Sequence, residues 1–76
     1  MEQIEINLKE EVTLHVRSKL KVYSNIATDD LKAVLEEHII YIYEFDIAEV
    51  RTYRQLRELF AKLDDYIKSL FKMSIL

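Results

Sequence analysis

Not one glycine and not one proline occurs among the 76 residues. Tight hairpin turns need positive φ, which glycine, or an Asn-Gly or Asp-Gly pair, ordinarily supplies. A chain without them is biased towards helices joined by short polar breaks. The same absence removes every phosphate-cradling loop and dinucleotide fingerprint, since both depend on close backbone approach at glycine.

The clearest helical pattern is the last. Tyr53, Leu56, Phe60, Leu63, Ile67 and Leu70 follow spacings of 3, 4, 3, 4 and 3, widened by Leu59 and Tyr66, an apolar seam at helical period. Asp46 and Glu49 have the spacing of a capping box, with Phe45 and Val50 at the positions of a hydrophobic staple. The pattern predicts a helix over about 47–72, roughly 38 Å long at 1.5 Å per residue. Its apolar face is the expected centre of stability.

In the middle, Thr28 stands as an N-cap with Asp29 and Asp30 in the first turn, where acids suit the helix dipole. Leu31, Val34, Leu35, His38, Ile39, Ile42 and Phe45 then share one face, and a helix over 29–45 is expected. From residue 39 onward, Ile40, Tyr41 and Tyr43 make it apolar nearly all round. Such a segment is buried on several sides or sits in an interface. A strand over 39–45 is the rival, since isoleucine and tyrosine favour sheet.

The opening stretch obeys two periods at once. Even positions from 4 to 22 are apolar except Glu10 and Ser18, as in a half-buried strand. Val12, Val16, Leu20 and Tyr23 also form a helical stripe. Glu10 and Glu11 precede it and Arg17, Lys19 and Lys21 close it, the order a helix dipole favours. The reading that respects both is a short strand over 3–8 followed by a helix over about 10–23. Strand, helix or both stay open for residues 3–16. The fold class is therefore mainly α, with two to three helices and a short N-terminal strand, in one domain over 1–76.

That order of elements resembles the ribbon-helix-helix DNA-binding family of repressors and antitoxins over positions 3–45. "IEINL" resembles its strand, "KEEVTLHVRSKLKVY" its first helix and "NIATDDLKAVLEEHI" its turn and second helix. The resemblance implies a paired ribbon in the major groove, with Gln3, Glu5 and Asn7 towards the bases and Thr28 near a phosphate. Glutamine and asparagine suit adenine edges. Glu5, Asp29 and Asp30 instead set negative charge where phosphates would lie, and a nucleic-acid binder ordinarily leaves a basic footprint.

This chain is acidic, with a net charge of −3. Residues 25–49 hold seven acids against Lys32 alone, whereas residues 50–76 hold six bases against Glu58, Asp64 and Asp65. Such a split suggests two elements of one fold attracting each other. With no cysteine, disulfides and thiolate metal sites are excluded. His15 and His38 are too few for an ordinary structural metal site, and adjacent Asp64 and Asp65 would point about 100° apart on a helix. No catalytic signature, metal or cofactor is expected.

Half the residues are apolar, yet a chain this short rarely supplies more than ~3–5 kcal/mol from its own core. Association, as a dimer or helical bundle, is the expected remedy. Tyr41 and Tyr43 are candidate protein anchors, being large, rigid and amphipathic. Arg51, Arg54 and Arg57, three residues apart, are candidates for docking an acidic partner. With no targeting signal and no membrane-length apolar run, the expectation is a cytoplasmic, non-enzymatic regulatory or adaptor protein. It would act by helix-mediated binding of another protein and by self-association. The alternative is a ribbon-helix-helix repressor or antitoxin.

Overall fold

A computed structural model describes residues 7–75, with side chains through Lys72. Among these residues there are four helices and no strand: α1 (Leu8–Lys21), α2 (Asp29–Ile42), α3 (Glu44–Glu49) and α4 (Tyr53–Ile75). Mainly α is thus correct, but the expected two to three helices fall short of the four observed.

In α1 the helical period prevails. Asn7 caps it, its side chain accepting from the Glu10 amide at 3.2 Å. Val12, Val16 and Leu20 are fully buried or nearly so. Positions four apart satisfy both a period of two and a helical stripe, so only the intervening even positions discriminate. Glu10, Leu14 and Ser18 are all exposed, and a strand would have carried them inward with the rest. The strand expected over 3–8 is corrected at its end, because Asn7 is a cap and Leu8 is helical. Residues 3–6 lie outside the described residues.

The chain leaves α1 through Val22 to Ala27, a turn closed by Ala27 N donating to Tyr23 O at 2.9 Å. Among the described residues no φ is positive, so a glycine-free sequence turns with right-handed and extended residues alone. Thr28 then caps α2, its hydroxyl accepting from the Leu31 amide at 3.1 Å.

The helix expected over 29–45 is interrupted at Tyr43, where φ is −102° and ψ is 13°. Here α2 has reached the N-terminal end of α1, and the chain bends into α3 and back towards the core. Ile47 and Val50 are buried after the bend. The expected capping box at Asp46 and Glu49 does not form, since both residues lie inside α3. The box lies further on. Thr52 Oγ1 accepts from Gln55 N, and Gln55 Oε1 accepts from Thr52 N, both at 3.2 Å, and from Arg51 N at 2.6 Å. The last helix accordingly starts at Tyr53, not near residue 47.

On α4 the buried row is Leu56, Leu59, Leu63, Ile67 and Phe71, with Phe60, Tyr66 and Leu70 half-buried beside it. Tyr53, read as part of the seam, is 43% exposed. α1 packs against both α2 and α4, and its row of Val12, Val16 and Leu20 meets Ile39, Leu63 and Ile67 in one core.

Polar contacts fasten α1 on both sides. His15 Nε2 donates to Asp64 Oδ1 at 2.7 Å while its ring stacks on Phe60 at 3.9 Å. Lys19 Nζ is 3.9 Å from the other carboxylate oxygen. Tyr23 stacks on Phe71 at 4.0 Å. Towards α2, Arg17 donates through Nε and Nη2 to the two Glu36 oxygens at 2.7 and 3.3 Å.

Candidate functional site

α2 carries more apolar side chains than α1, its main neighbour, covers. Seven residues between 31 and 45 were expected to share one face, and of these only Ile39 is fully buried and Leu35 half-buried. Leu31 (44%), Val34 (63%), Tyr41 (75%), Ile42 (40%) and Phe45 (82%) are exposed. Of the two expectations for the segment from residue 39, burial on several sides does not hold for Tyr41, Ile42 and Phe45. At 100° per residue, Leu31, Val34, Tyr41 and Ile42 fall within an arc of about 100°, and His38 inside that arc reaches across to the Tyr66 hydroxyl of α4. Ile39 points about 110° from the centre of the arc. The result is an apolar stripe facing solvent, continued onto α3 by Phe45.

An acidic row borders that stripe. Asp30 and Glu37 adjoin the arc on one side, Glu44 follows at the same spacing of seven, and all three are exposed. Among the described residues none of the three has an ion-pair partner within 4 Å. The ion pairs run elsewhere: His15 and Lys19 to Asp64, Arg17 to Glu36, Lys32 to Asp29, Arg54 to Glu58. The acidic middle and basic end of the chain do not attract each other directly, as their charges suggested. α1 lies against both, and the acids on the outer side of α2 stay unneutralised.

On the far side of that row opens a groove of about 470 Å³ between α1 and the α2–α3 bend. Ile40, Tyr41, Ile47 and Thr13 supply apolar wall, and Glu37 and Glu44 stand at it with Glu36, which Arg17 already holds. Lys9 of α1 is the one base lining it. The Glu36 carboxylate raises the Arg17 guanidinium further above its ordinary range, by hydrogen bond first and charge second.

The residues singled out from the sequence are not gathered into one site. Tyr41 is on the stripe and lines the groove. Tyr43 turns inward, half-buried and edge-on to Tyr66 with ring centres 5.7 Å apart. Burial foremost, then the neighbouring Tyr66 and Asp46, pushes its phenol above the ordinary tyrosine value. Arg51 Nη1 donates to the carbonyls of Ala48 at 2.7 Å and Val50 at 3.1 Å, closing the end of α3. Arg54 reaches Glu58 on its own helix at 3.9 Å, and Arg57 is exposed. Of the DNA-contact candidates, Asn7 and Thr28 are engaged as helix caps, and Gln3 and Glu5 lie outside the described residues.

Val34 and Phe45 were missed as surface residues because periodicity records that a face is apolar, not what covers it. The available signal was the row Asp30, Glu37 and Glu44, which marks one edge of the exposed arc.

Among the described residues no group of three or more histidine or acidic side chains is placed to hold a metal ion. No helix there is long and apolar enough to cross a membrane. His38 Nε2 hydrogen-bonds the Tyr66 hydroxyl at 3.2 Å, tying α2 to α4. Comparison with protein-family models, with curated proteins and with solved structures returns no match.

Proposed function

We propose that this protein is a non-catalytic interaction module that binds another protein through the outer face of α2 and α3. The observation that carries this reading is the stripe from Leu31 to Phe45, whose two aromatic members are the most exposed. Aromatic side chains present roughly 150–250 Å² each, so the five residues together offer on the order of 500 Å². Apolar patches of about 300–600 Å² are the largest that monomeric proteins ordinarily show, and they are often functional. Tyr41 and Phe45 are rigid side chains of the type that anchors interfaces.

The test uses Val34→Ser combined with Phe45→Ser. Both residues are exposed, and surface substitutions of this kind usually change stability by no more than ~0.5 kcal/mol. Parent and variant are immobilised and used to capture proteins from the native host. The reading expects bound proteins that the parent retains and the variant loses, with the two melting alike. Identical capture by both would defeat it.

Self-association belongs to the same proposal, through a separate patch. Val22 (72% exposed) and Ile26 (50%) stand on the α1–α2 turn, at the other end of the helical hairpin from the α2–α3 bend.

A further inference from the structure

We propose that the occupant of the α2–α3 face is an amphipathic helix whose apolar stripe is flanked by lysine or arginine, one of those cations seating between Glu37 and Glu44. The inference rests on the reading of this face as a protein-binding surface and adds the chemistry of the partner.

The acids set the register. Asp30 and Glu37 lie seven residues apart on α2, roughly 10 Å along its axis, and Glu44 stands past the bend at the start of α3, lining the same groove as Glu37. A partner helix laid along α2 presents its own flank at the same period, so bases seven residues apart can meet Asp30 and Glu37, the second of them lying between Glu37 and Glu44. Among the described residues these carboxylates have no ion-pair partner within 4 Å, so a bound cation breaks no ion pair there. Covering the apolar stripe also excludes water from the row beside it, which strengthens each pair over an exposed one.

The groove fits the tip of such a side chain. Lysine and arginine lay an apolar stem along apolar surface and keep the charge at the end. Here Ile40 and Ile47 line the wall, and Tyr41 lines the same groove as Glu37 and Glu44. An aromatic face adds to the attraction for a cation. Lys9 lines the same groove and gives it an opposing charge, so one incoming cation is favoured there, not several.

Two other occupants are disfavoured by the same charges. An antiparallel contact between two copies about a two-fold axis lays the acidic row of one α2 against that of the other. A parallel contact meets Leu35 on the opposite flank and gains no base. Among the described side chains, the basic side of α4, with Arg54, Arg57, Lys68 and Lys72, carries no large exposed apolar residue except Tyr53 at its start. An anionic bilayer would be repelled by the row that borders the stripe.

The test is fluorescence anisotropy with designed helical peptides of about 20 residues, ~30 Å long. One carries a leucine stripe flanked by lysine at seven-residue spacing, a second has glutamate in place of lysine, and a third scrambles the first. The lysine peptide should bind the full chain about tenfold tighter than the glutamate peptide at low salt, a preference worth ~1.4 kcal/mol. Added salt should shrink that preference. Glu37→Gln with Glu44→Gln should bring the two peptides within about threefold, a residue of preference worth ~0.6 kcal/mol. Phe45→Ser should weaken the lysine peptide and leave the ratio unchanged. Equal binding of both peptides, lost in Phe45→Ser, overturns the basic partner and leaves the protein-binding reading intact. Binding of neither peptide overturns the proposal, and unchanged host capture by the Val34→Ser, Phe45→Ser variant would then remove that reading as well. A dimer in sedimentation that Phe45→Ser dissolves, or preferential binding to phosphatidylserine vesicles, assigns the face to a second copy or a membrane and overturns it too.

Discussion

His15 of α1 donates to Asp64 of α4 at 2.7 Å, across 49 residues of sequence, with its ring flat on Phe60. This contact joins two helices that share the core but not a loop. A hydrogen bond to a charged group contributes about 1.5–3 kcal/mol, less where solvent reaches it. Asp64 is about a third exposed, so the lower part of that range applies. His15→Ala should destabilise by about 1–2 kcal/mol, the lost ring stacking included. In urea denaturation a double-mutant cycle with Asp64→Asn should return coupling of at least ~0.5 kcal/mol. Additive effects would mean that the contact contributes nothing in solution.

The start of α4 gives a direct comparison of two caps. Thr52 and Gln55 satisfy each other's backbone amides, whereas Asp46 lies within α3. Thr52→Ala should cost about 1 kcal/mol, the usual worth of an N-cap. Asp46→Ala should cost less than ~0.5 kcal/mol. The opposite ranking in thermal melts would place the helix start back near residue 47.

Burial and not hydrophobicity should decide the cost of truncation. Leu63 is 0% exposed and Phe45 is 82% exposed. Leu63→Ala should cost about 2–5 kcal/mol, and at ~4–8 °C per kcal/mol for a domain this size that lowers the melting point by at least ~8 °C. Phe45→Ser should shift it by no more than a few degrees. Equal losses would show that the α2–α3 face is covered by the chain itself.

Alkali offers a test of the Tyr43 environment. Its phenol is raised above the ordinary value of 10.0 by burial first, then by Tyr66 and Asp46. The folded chain therefore holds this proton more tightly than the unfolded one. The stabilisation is complete below pH 10 and is lost as pH rises through the raised value. Tyr43→Phe should flatten the fall in stability above pH 10 while keeping the ring against Tyr66. An unchanged alkaline limb would mean that the phenol is solvated like any other.

Nucleic-acid binding and self-association are separable by salt and sedimentation. Phosphate binding releases counterions and weakens steeply with salt, but Asp29 and Asp30 are exposed at the start of α2, where the ribbon-helix-helix resemblance puts phosphate. No salt-sensitive DNA binding is expected from the parent, and Glu5→Gln should create none. Submicromolar, sequence-selective binding at physiological salt would restore the DNA reading. In sedimentation at micromolar concentration a dimer is expected that survives Phe45→Ser and dissociates with Val22→Ser and Ile26→Ser. A monomer at that concentration removes self-association from the proposal.

The sequence by itself determined what depends on near neighbours. With neither glycine nor proline to interrupt them, the helices followed from periodicity, and Thr28 was legible as a cap because its partner amide lies three residues away. The Thr52 and Gln55 box was equally local, but Asp46 and Glu49 presented the same signature, and only the bend at Tyr43 chose between them. The tertiary structure decided which part of an apolar helix is covered. From 31 to 45 apolar residues occupy a wider arc than one neighbouring helix can shield. α1 turns that arc so that Ile39 meets its buried row and Glu36 meets Arg17. Leu31, Val34, Tyr41 and Phe45 are left outward by that rotation, which is set by shape and pairing between distant residues and has no counterpart in local spacing.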